Sequence, residues 1–173
     1  MVADQTPELT QLVHEHHAAV YRYAYRLTGS VHDAEDLTQQ AFLAAHRKLD
    51  QLRERQRAGS WLCSILRNAW LKAQQRRTPA AASSLELDLQ NLVHARDEST
   101  PIDREQLQRG LNDLPPEFKV VLLMFYFEGL SYRAIAEQLA VPLGTVMSRL
   151  ARGKAHLRKR LEPAMLATAD QGR

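Results

Sequence analysis

Two stretches of this 173-residue sequence concentrate basic side chains, and the stretch between them is acidic. Residues 51–78 contain seven arginines and lysines against one acid, and residues 142–163 contain six against one. Residues 79–101 contain four acids and one arginine. Basic side chains gathered on one face displace the counterions of a polyanion. The pattern therefore predicts two surfaces for nucleic acid, with a solvated charged face as the simpler alternative for either run alone.

The second basic run lies in a segment typical of a helix-turn-helix. Ser131 is a good N-cap for a short helix over Tyr132–Leu139, and after a turn a longer helix is predicted over Leu143–Leu161. The longer helix offers donors suited to base edges and phosphates, namely Thr145, Ser148, Arg149, Arg152 and Lys154. This helix is predicted to enter the major groove, and the alternative is a merely amphipathic surface helix.

The first basic run lies in a loop and a third helix. Ser60 is predicted to cap that helix, and Trp61 begins its apolar stripe. The polar side chains that can follow a nucleic-acid backbone or hold a base are Arg53, Arg55, Arg57, Arg67, Asn68, Lys72, Arg76 and Arg77. We expect Trp61 to be a core residue, whereas Trp70 is open between the core and a stacking role.

Helical periodicity and caps place these residues in two small helical domains. Helices are predicted from Thr6 to near Gly29, from Ser30 to Leu49, from Thr100 to Leu114, and over Glu117–Glu128. Residues 79–101 are predicted to be a flexible linker with at most a short helix around Leu85–Val93. No strand pattern appears, so the predicted fold is all-α, with a three-helix bundle and a helix-turn-helix domain.

Composition argues against several other classes. The 45% hydrophobic and 25% charged residues are typical of a globular protein, and no signal peptide or apolar run of membrane-spanning length appears. A lone cysteine, Cys63, excludes an intrachain disulfide and is expected to be a buried core thiol. No phosphate loop or nucleophile–base pair suggests an enzyme, and we expect no cofactor. His14 and His17 share a helix face near His16, but an isolated pair is more often a surface feature than a metal site.

Four motifs occur in an order that is specific when they are taken together. They begin at Asp33 (DAEDLTQQAFLAA), Trp61 (WLCSILRN), Leu114 (LPPEF) and Gly129 (GLSYRAIAE). This arrangement resembles the extracytoplasmic-function (ECF) group of bacterial RNA polymerase sigma factors over roughly residues 8–163. The resemblance implies region 2 over 8–78, a linker over 79–101 and region 4 over 102–163. The alternative is a helix-turn-helix repressor or activator, which would bind a symmetric site as a dimer.

The lack of a signal peptide or membrane span predicts a cytoplasmic protein, and the resemblance also implies partners and residue roles. Region 2 would dock on the clamp helices of the largest polymerase subunit through Asp33, Asp36, Gln39, Gln40 and Leu43, although Asp33 can equally be a helix N-terminal charge. Region 2 would also open and read the minus-10 element through the polar residues of the first basic run. Region 4 would read the minus-35 element, adding Arg133 and Met147 to the contacts of its second helix, and would meet the polymerase flap. Relatives often carry arginine where Met147 stands, so base preference there is open. An anti-sigma factor is a further implied partner.

Overall fold

Seven α-helices and two short 3-10 helices make up the described part of the chain. The computed structural model describes residues 6–77 and 104–169. The first bundle contains α1 (Thr6–Thr28), α2 (Val31–His46) and α3 (Ala58–Arg77), and the second contains α4 (Arg104–Asn112), α5 (Pro116–Tyr126), α6 (Tyr132–Leu139) and α7 (Leu143–Ala169). No strand occurs within those ranges, which confirms the predicted all-α fold. The predicted linker 79–101, with its short helix, lies outside the described residues.

Most predicted helix ends lie within two residues of the observed ones. Ser30 caps α2, and its hydroxyl accepts a hydrogen bond from the backbone N–H of Asp33 at 3.3 Å. The predicted cap of α3 was wrong, because this helix begins at Ala58 and Ser60 lies inside its first turn. The predicted end of α7 at Leu161 was also wrong. The helix continues to Ala169 through a segment rich in alanine, the strongest helix former.

One continuous hydrophobic core joins the two bundles. Val20, Leu27, Leu62, Leu66 and Trp70 are buried from the first bundle, and Val121, Met124, Ile135, Val146 and Leu150 are buried from the second. Helix α1 contacts α4 and α5, and α3 also contacts α5. The bundles therefore pack against each other, an arrangement that we call the closed form. The sequence did not predict it.

Polar contacts to backbone carbonyls tie α1 to the second bundle. The Lys119 ammonium is buried and donates to the carbonyl oxygen of Leu27 at 3.1 Å. The Gln108 amide donates to the carbonyl oxygen of Tyr25, also at 3.1 Å. Burial lowers the pKa of Lys119, since a desolvated ammonium is costly. The contact from Lys119 satisfies a carbonyl in the last turn of α1, where helical N–H donors run out. The Tyr25 carbonyl also accepts from the backbone N–H of Gly29 at 2.8 Å.

Two glycines with matching backbone angles provide a test of this packing. Gly29 has φ of 70° and Gly129 has φ of 69°. A Cβ at Gly29 would lie 2.1 Å from the side-chain oxygen of Asn112 in α4, whereas nothing lies within 4 Å at Gly129. Both Gly→Ala changes incur the left-handed backbone cost of about 1–2 kcal/mol, but only Gly29→Ala also collides with the other bundle. In urea unfolding, we expect Gly29→Ala to be more destabilising by about 1 kcal/mol.

Truncating the obstructing amide should remove the difference between the two glycine variants. We expect the unfolding free energy of Gly29→Ala with Asn112→Ala to approach that of Gly129→Ala. Equal destabilisation by the two single glycine changes would contradict contact between Gly29 and Asn112.

Candidate nucleic-acid interface

The helix-turn-helix is built by a cap, a left-handed turn residue and a small buried core. The Ser131 hydroxyl accepts a hydrogen bond from the backbone N–H of Ala134 at 3.2 Å, which starts α6. Ala140 ends α6 with φ of 52°, and this sharp turn directs the chain into α7. Ile135, Val146 and Leu150 are buried between the two helices. Helix α7 is thus held with one face inward and the other available to a ligand.

The outward face of the helix-turn-helix carries the residues predicted to contact the minus-35 element, with Arg133 on α6 and the others on α7. Arg133, Met147 and Lys154 are exposed, and Thr145, Ser148, Arg149 and Arg152 are partly exposed. The Ser148 hydroxyl donates to the carbonyl oxygen of Thr145 at 3.0 Å, so its remaining role toward DNA is that of an acceptor. Since Thr145, Ser148, Arg149 and Arg152 follow helical spacing, they form one stripe along α7.

The first basic run is mostly exposed, as a nucleic-acid surface requires. Arg53, Arg55, Arg57, Asn68, Lys72 and Arg76 are all exposed, and the side chain of Arg77 lies outside the described residues. Arg57 pairs with Glu54 at 2.9 Å on the surface. Such an exposed pair is weak enough to exchange for a phosphate.

Arg67, which the sequence predicted to contact nucleic acid, is buried in the closed form. Its side chain is 2% exposed and lies between the bundles, where one guanidinium nitrogen, Nη1, is 2.6 Å from each carboxylate oxygen of Glu128. Its other terminal nitrogen donates to the Gln138 side chain of α6. The guanidinium therefore joins α3 to the helix-turn-helix and cannot reach DNA in the closed form.

Tyr23 completes a polar cluster with Arg67, Glu128 and Gln138, in which the first three side chains are buried and Gln138 is exposed. The Tyr23 hydroxyl donates to Glu128, whose side chain is 3% exposed. Burial, together with the neighbouring Glu128 carboxylate, raises the pKa of Tyr23 well above its usual value. The phenol therefore stays protonated and remains a donor. Sequence reasoning missed the cluster because Arg67 and Glu128 lie 61 positions apart, and no local pattern links them.

The two tryptophans of α3 differ in burial. Trp61, expected in the core, is only partly buried, whereas Trp70 is 4% exposed and part of the core. Trp70 belongs to the buried hydrophobic cluster, whereas Trp61, nine residues earlier on α3, packs against the edge of that cluster. In the closed form Trp70 cannot stack on a base.

Cys63, expected to be a buried core thiol, is only partly buried and lies beside the polar cluster. Burial, and secondarily the Glu128 carboxylate, raises the pKa of Cys63 to about 11. Because the thiolate is the reactive form, we expect the thiol to react with Ellman's reagent at pH 8 at least about tenfold more slowly than free cysteine. In urea, the rate should rise to that of free cysteine. Equal rates in folded and unfolded protein would contradict this burial.

Helix α2 presents an acidic and amide face with one exposed leucine. Asp33, Asp36, Gln39 and Gln40 are exposed, and Leu43 is 58% exposed. Phe42, the preceding residue, is buried against the core, and its ring stacks 6.1 Å from that of His17. Leu43 is therefore the apolar centre of the face that was predicted to bind polymerase.

His14, His16 and His17 lie close together on α1. Within the described part of the chain, no three His, Cys, Asp or Glu side chains converge as ligands. His17 instead stacks with Tyr21 and Phe42, at ring distances of 6.4 Å and 6.1 Å.

The fold and its surfaces define a class of protein: a two-bundle transcription factor with a helix-turn-helix. Models of sigma-70 region 2 and sigma-70 region 4 match residues 12–79 and 104–157. The ECF RNA polymerase sigma factor SigW of Bacillus subtilis is 30% identical over 155 residues, covering 82% of each chain. SigE of Mycolicibacterium smegmatis, also an ECF RNA polymerase sigma factor, is 37% identical over 169 residues, and the match spans 95% of this chain and 65% of that protein. The chain belongs to the ECF sigma factor family.

A solved structure confirms the fold independently. The sigma factor RpoE from Bartonella quintana, solved with the anti-sigma factor NepR, superimposes with a TM-score of 0.64. The match covers 93% of this chain and 98% of that one at 24% identity. No helix in residues 6–77 or 104–169 combines the length and apolar character needed to cross a bilayer.

Proposed function

We propose that this chain recruits core RNA polymerase through the α2 face and reads two promoter elements with its two bundles, in the cytoplasm where polymerase and promoter meet. The observation that carries the proposal is the pairing of an exposed helix-turn-helix stripe with a separate exposed basic surface on α3 and its preceding loop. Arg53, Arg55, Arg57, Asn68, Lys72 and Arg76 would hold the minus-10 strand. Thr145, Ser148, Arg149 and Arg152 would read the minus-35 duplex, with Arg133 and Lys154 at its phosphates.

The closed form cannot serve both elements at once. The elements are about 25 base pairs apart, or roughly 85 Å of duplex. The longest helices of the two bundles, α1 with 23 residues and α7 with 27, span only about 35 Å and about 40 Å. Two bundles in contact therefore fall short, and the proposal requires them to separate. The 26 residues from 78 to 103 can reach roughly 85–95 Å when fully extended, enough to allow this.

Replacing Leu43 with glutamate tests the polymerase surface. Burying a leucine at an interface contributes about 1.5–3 kcal/mol. The introduced glutamate would also be a fourth acid on this helix and would add electrostatic repulsion. We expect core polymerase to bind Leu43→Glu at least about tenfold more weakly, measured by fluorescence anisotropy of labelled sigma. Leu143→Glu changes an exposed leucine of the other bundle and should leave core binding unchanged. Equal loss in both variants would contradict a surface centred on Leu43.

Reconstituted transcription tests the whole proposal. Purified chain plus core polymerase should initiate from a promoter selected by the holoenzyme from a random library, and the chain should bind core in a one-to-one ratio. A chain that ignores core polymerase and binds a symmetric duplex as a dimer would support the repressor or activator alternative instead.

An anti-sigma factor is proposed as a second protein partner. The α2 face around Leu43 joins apolar and acidic groups that are exposed in the closed form, and a protein covering it would exclude polymerase. Such a partner should compete with core polymerase for wild-type chain and bind Leu43→Glu more weakly.

A further inference from the structure

A groove of about 510 Å³ lies where α1 of the first bundle meets α4 of the second. This volume is within the usual range for small-molecule sites, which often form at domain interfaces. Four arginines line the groove: Arg22, Arg26, Arg104 and Arg109. None of them belongs to the surfaces assigned above to DNA or polymerase.

Positive charge in the groove is only partly neutralised. Arg109 pairs with Glu105 at 2.6 Å. Among the described residues, Glu105 is the one acidic side chain that lines the groove, so the four arginines outnumber it. Arg26 is the most enclosed of the four and donates to Gln108 at 3.0 Å. Desolvation, and secondarily the Arg104 guanidinium, lowers the pKa of Arg26. Cations held together in this way favour an anion between them.

Aromatic rings lie beside the arginines. Tyr21 and Tyr25 are one helical turn apart on α1, and both line the groove, as does Phe127 after α5. Guanidinium groups bind phosphate oxygens in a bidentate manner, and aromatic rings stack on bases. A carboxylate or inorganic anion would contact the arginines but would not stack on the aromatic rings. A nucleotide uses both.

We propose that this groove binds a nucleoside polyphosphate, with its phosphates on Arg22, Arg26 and Arg104 and its base against Tyr21 or Tyr25. Because the two walls come from different bundles, the complete site exists only in the closed form. A ligand present at a hundred times its dissociation constant would shift the ratio of closed to open forms about a hundredfold. The nucleotide would thus oppose the separation that promoter binding requires. Its binding can be measured without DNA or polymerase, so it succeeds or fails independently of the proposed function.

Isothermal titration of the full chain with ATP tests the site. We expect a dissociation constant below about 1 mM for wild type and at least tenfold weaker binding for Arg22→Ala with Arg104→Ala, two exposed positions. The matched control is Arg158→Ala with Lys159→Ala, which removes the same charge from an exposed part of α7 and should bind like wild type. Circular dichroism checks that both double variants fold. Equal loss in the two double variants, or no ATP binding by wild type, would overturn the proposal.

Related ligands separate the nucleotide from other phosphate sources. Pyrophosphate should bind more weakly than ATP, since it lacks a base, and equal affinities would overturn the role of the tyrosines. A single-stranded oligonucleotide that binds at the groove while ATP does not would make it a nucleic-acid path and also overturn the proposal. ATP should raise the urea midpoint of wild type but not that of Arg22→Ala with Arg104→Ala. An unchanged midpoint with bound ATP would overturn the link to closure.

Discussion

Glu128→Ala is expected to open the two bundles and to lower stability more than any other change considered for this chain. The carboxylate accepts hydrogen bonds from Arg67 and Tyr23 in a site where both charged side chains are almost fully buried. Removing one partner of a buried ion pair leaves an uncompensated charge, at a cost of about 3–5 kcal/mol. The guanidinium regains water if the bundles separate. The measured loss of stability therefore cannot exceed the free energy that holds the two bundles together.

Two measurements separate opening from global unfolding. Small-angle scattering should give a larger radius of gyration for Glu128→Ala, and urea unfolding should show a lower midpoint. Glu137→Ala removes an exposed carboxylate from α6 and should change neither quantity. Wild-type dimensions together with a stability change below about 0.5 kcal/mol would contradict a role of Glu128 in closure.

Replacing both charged residues with apolar ones tests whether the ion pair itself stabilises the closed form. Buried ion pairs often contribute little compared with apolar residues of similar volume, because desolvation offsets the attraction. The Nε of Arg67 is also buried without a hydrogen-bond partner among the described atoms, a cost carried by the charged pair. We expect Arg67→Met with Glu128→Leu to recover most of the stability lost in Glu128→Ala. A closed double variant would then bind promoter DNA poorly, since it opens less readily.

Local patterns predicted the helices and the helix-turn-helix because the signals act over a few residues. Ser131 caps its helix as predicted, and Ser30, the predicted start of α2, does the same. Each hydroxyl accepts a hydrogen bond from the backbone N–H three positions onward. The buried residues of the helix-turn-helix, such as Ile135 and Val146, follow helical spacing. Local patterns did not predict the burial of side chains whose partners are distant in the sequence.

Arg67 and Trp70 show why the site was only partly predictable. Each lies on a helix with exposed basic neighbours, so charge pattern and periodicity suggest a nucleic-acid role equally for Arg67 and Lys72. Only Lys72 is exposed, because the second bundle covers the Arg67 side of α3. Helix α3 thus has two buried faces rather than one, and the sequence pattern of the helix does not reveal the second buried face. The acidic α2 face was predictable because nothing in the described chain packs on it.

Arg152→Ala is expected to cost about 1–3 kcal/mol in binding to the minus-35 site, as for a lost bidentate contact to guanine. Arg152 is nine residues after the first residue of α7, or about 13.5 Å along the helix axis. At that depth only a long side chain reaches a base edge, since the helix start enters the groove first. Arg152 is partly exposed on the stripe that contains Thr145 and Ser148, so its guanidinium can extend along the same groove.

Anisotropy with two duplexes decides whether Arg152 contacts a base or the backbone. One duplex carries the minus-35 sequence selected by the holoenzyme, and the other carries the same bases scrambled, both at one fixed salt concentration. Arg152→Ala should weaken binding to the selected duplex and leave the scrambled one nearly unchanged. Lys154→Ala should weaken both alike, because an exposed lysine meets phosphates of any sequence. An equal loss on both duplexes for Arg152→Ala would make it a phosphate contact and shift base reading toward Thr145, Ser148 and Arg149.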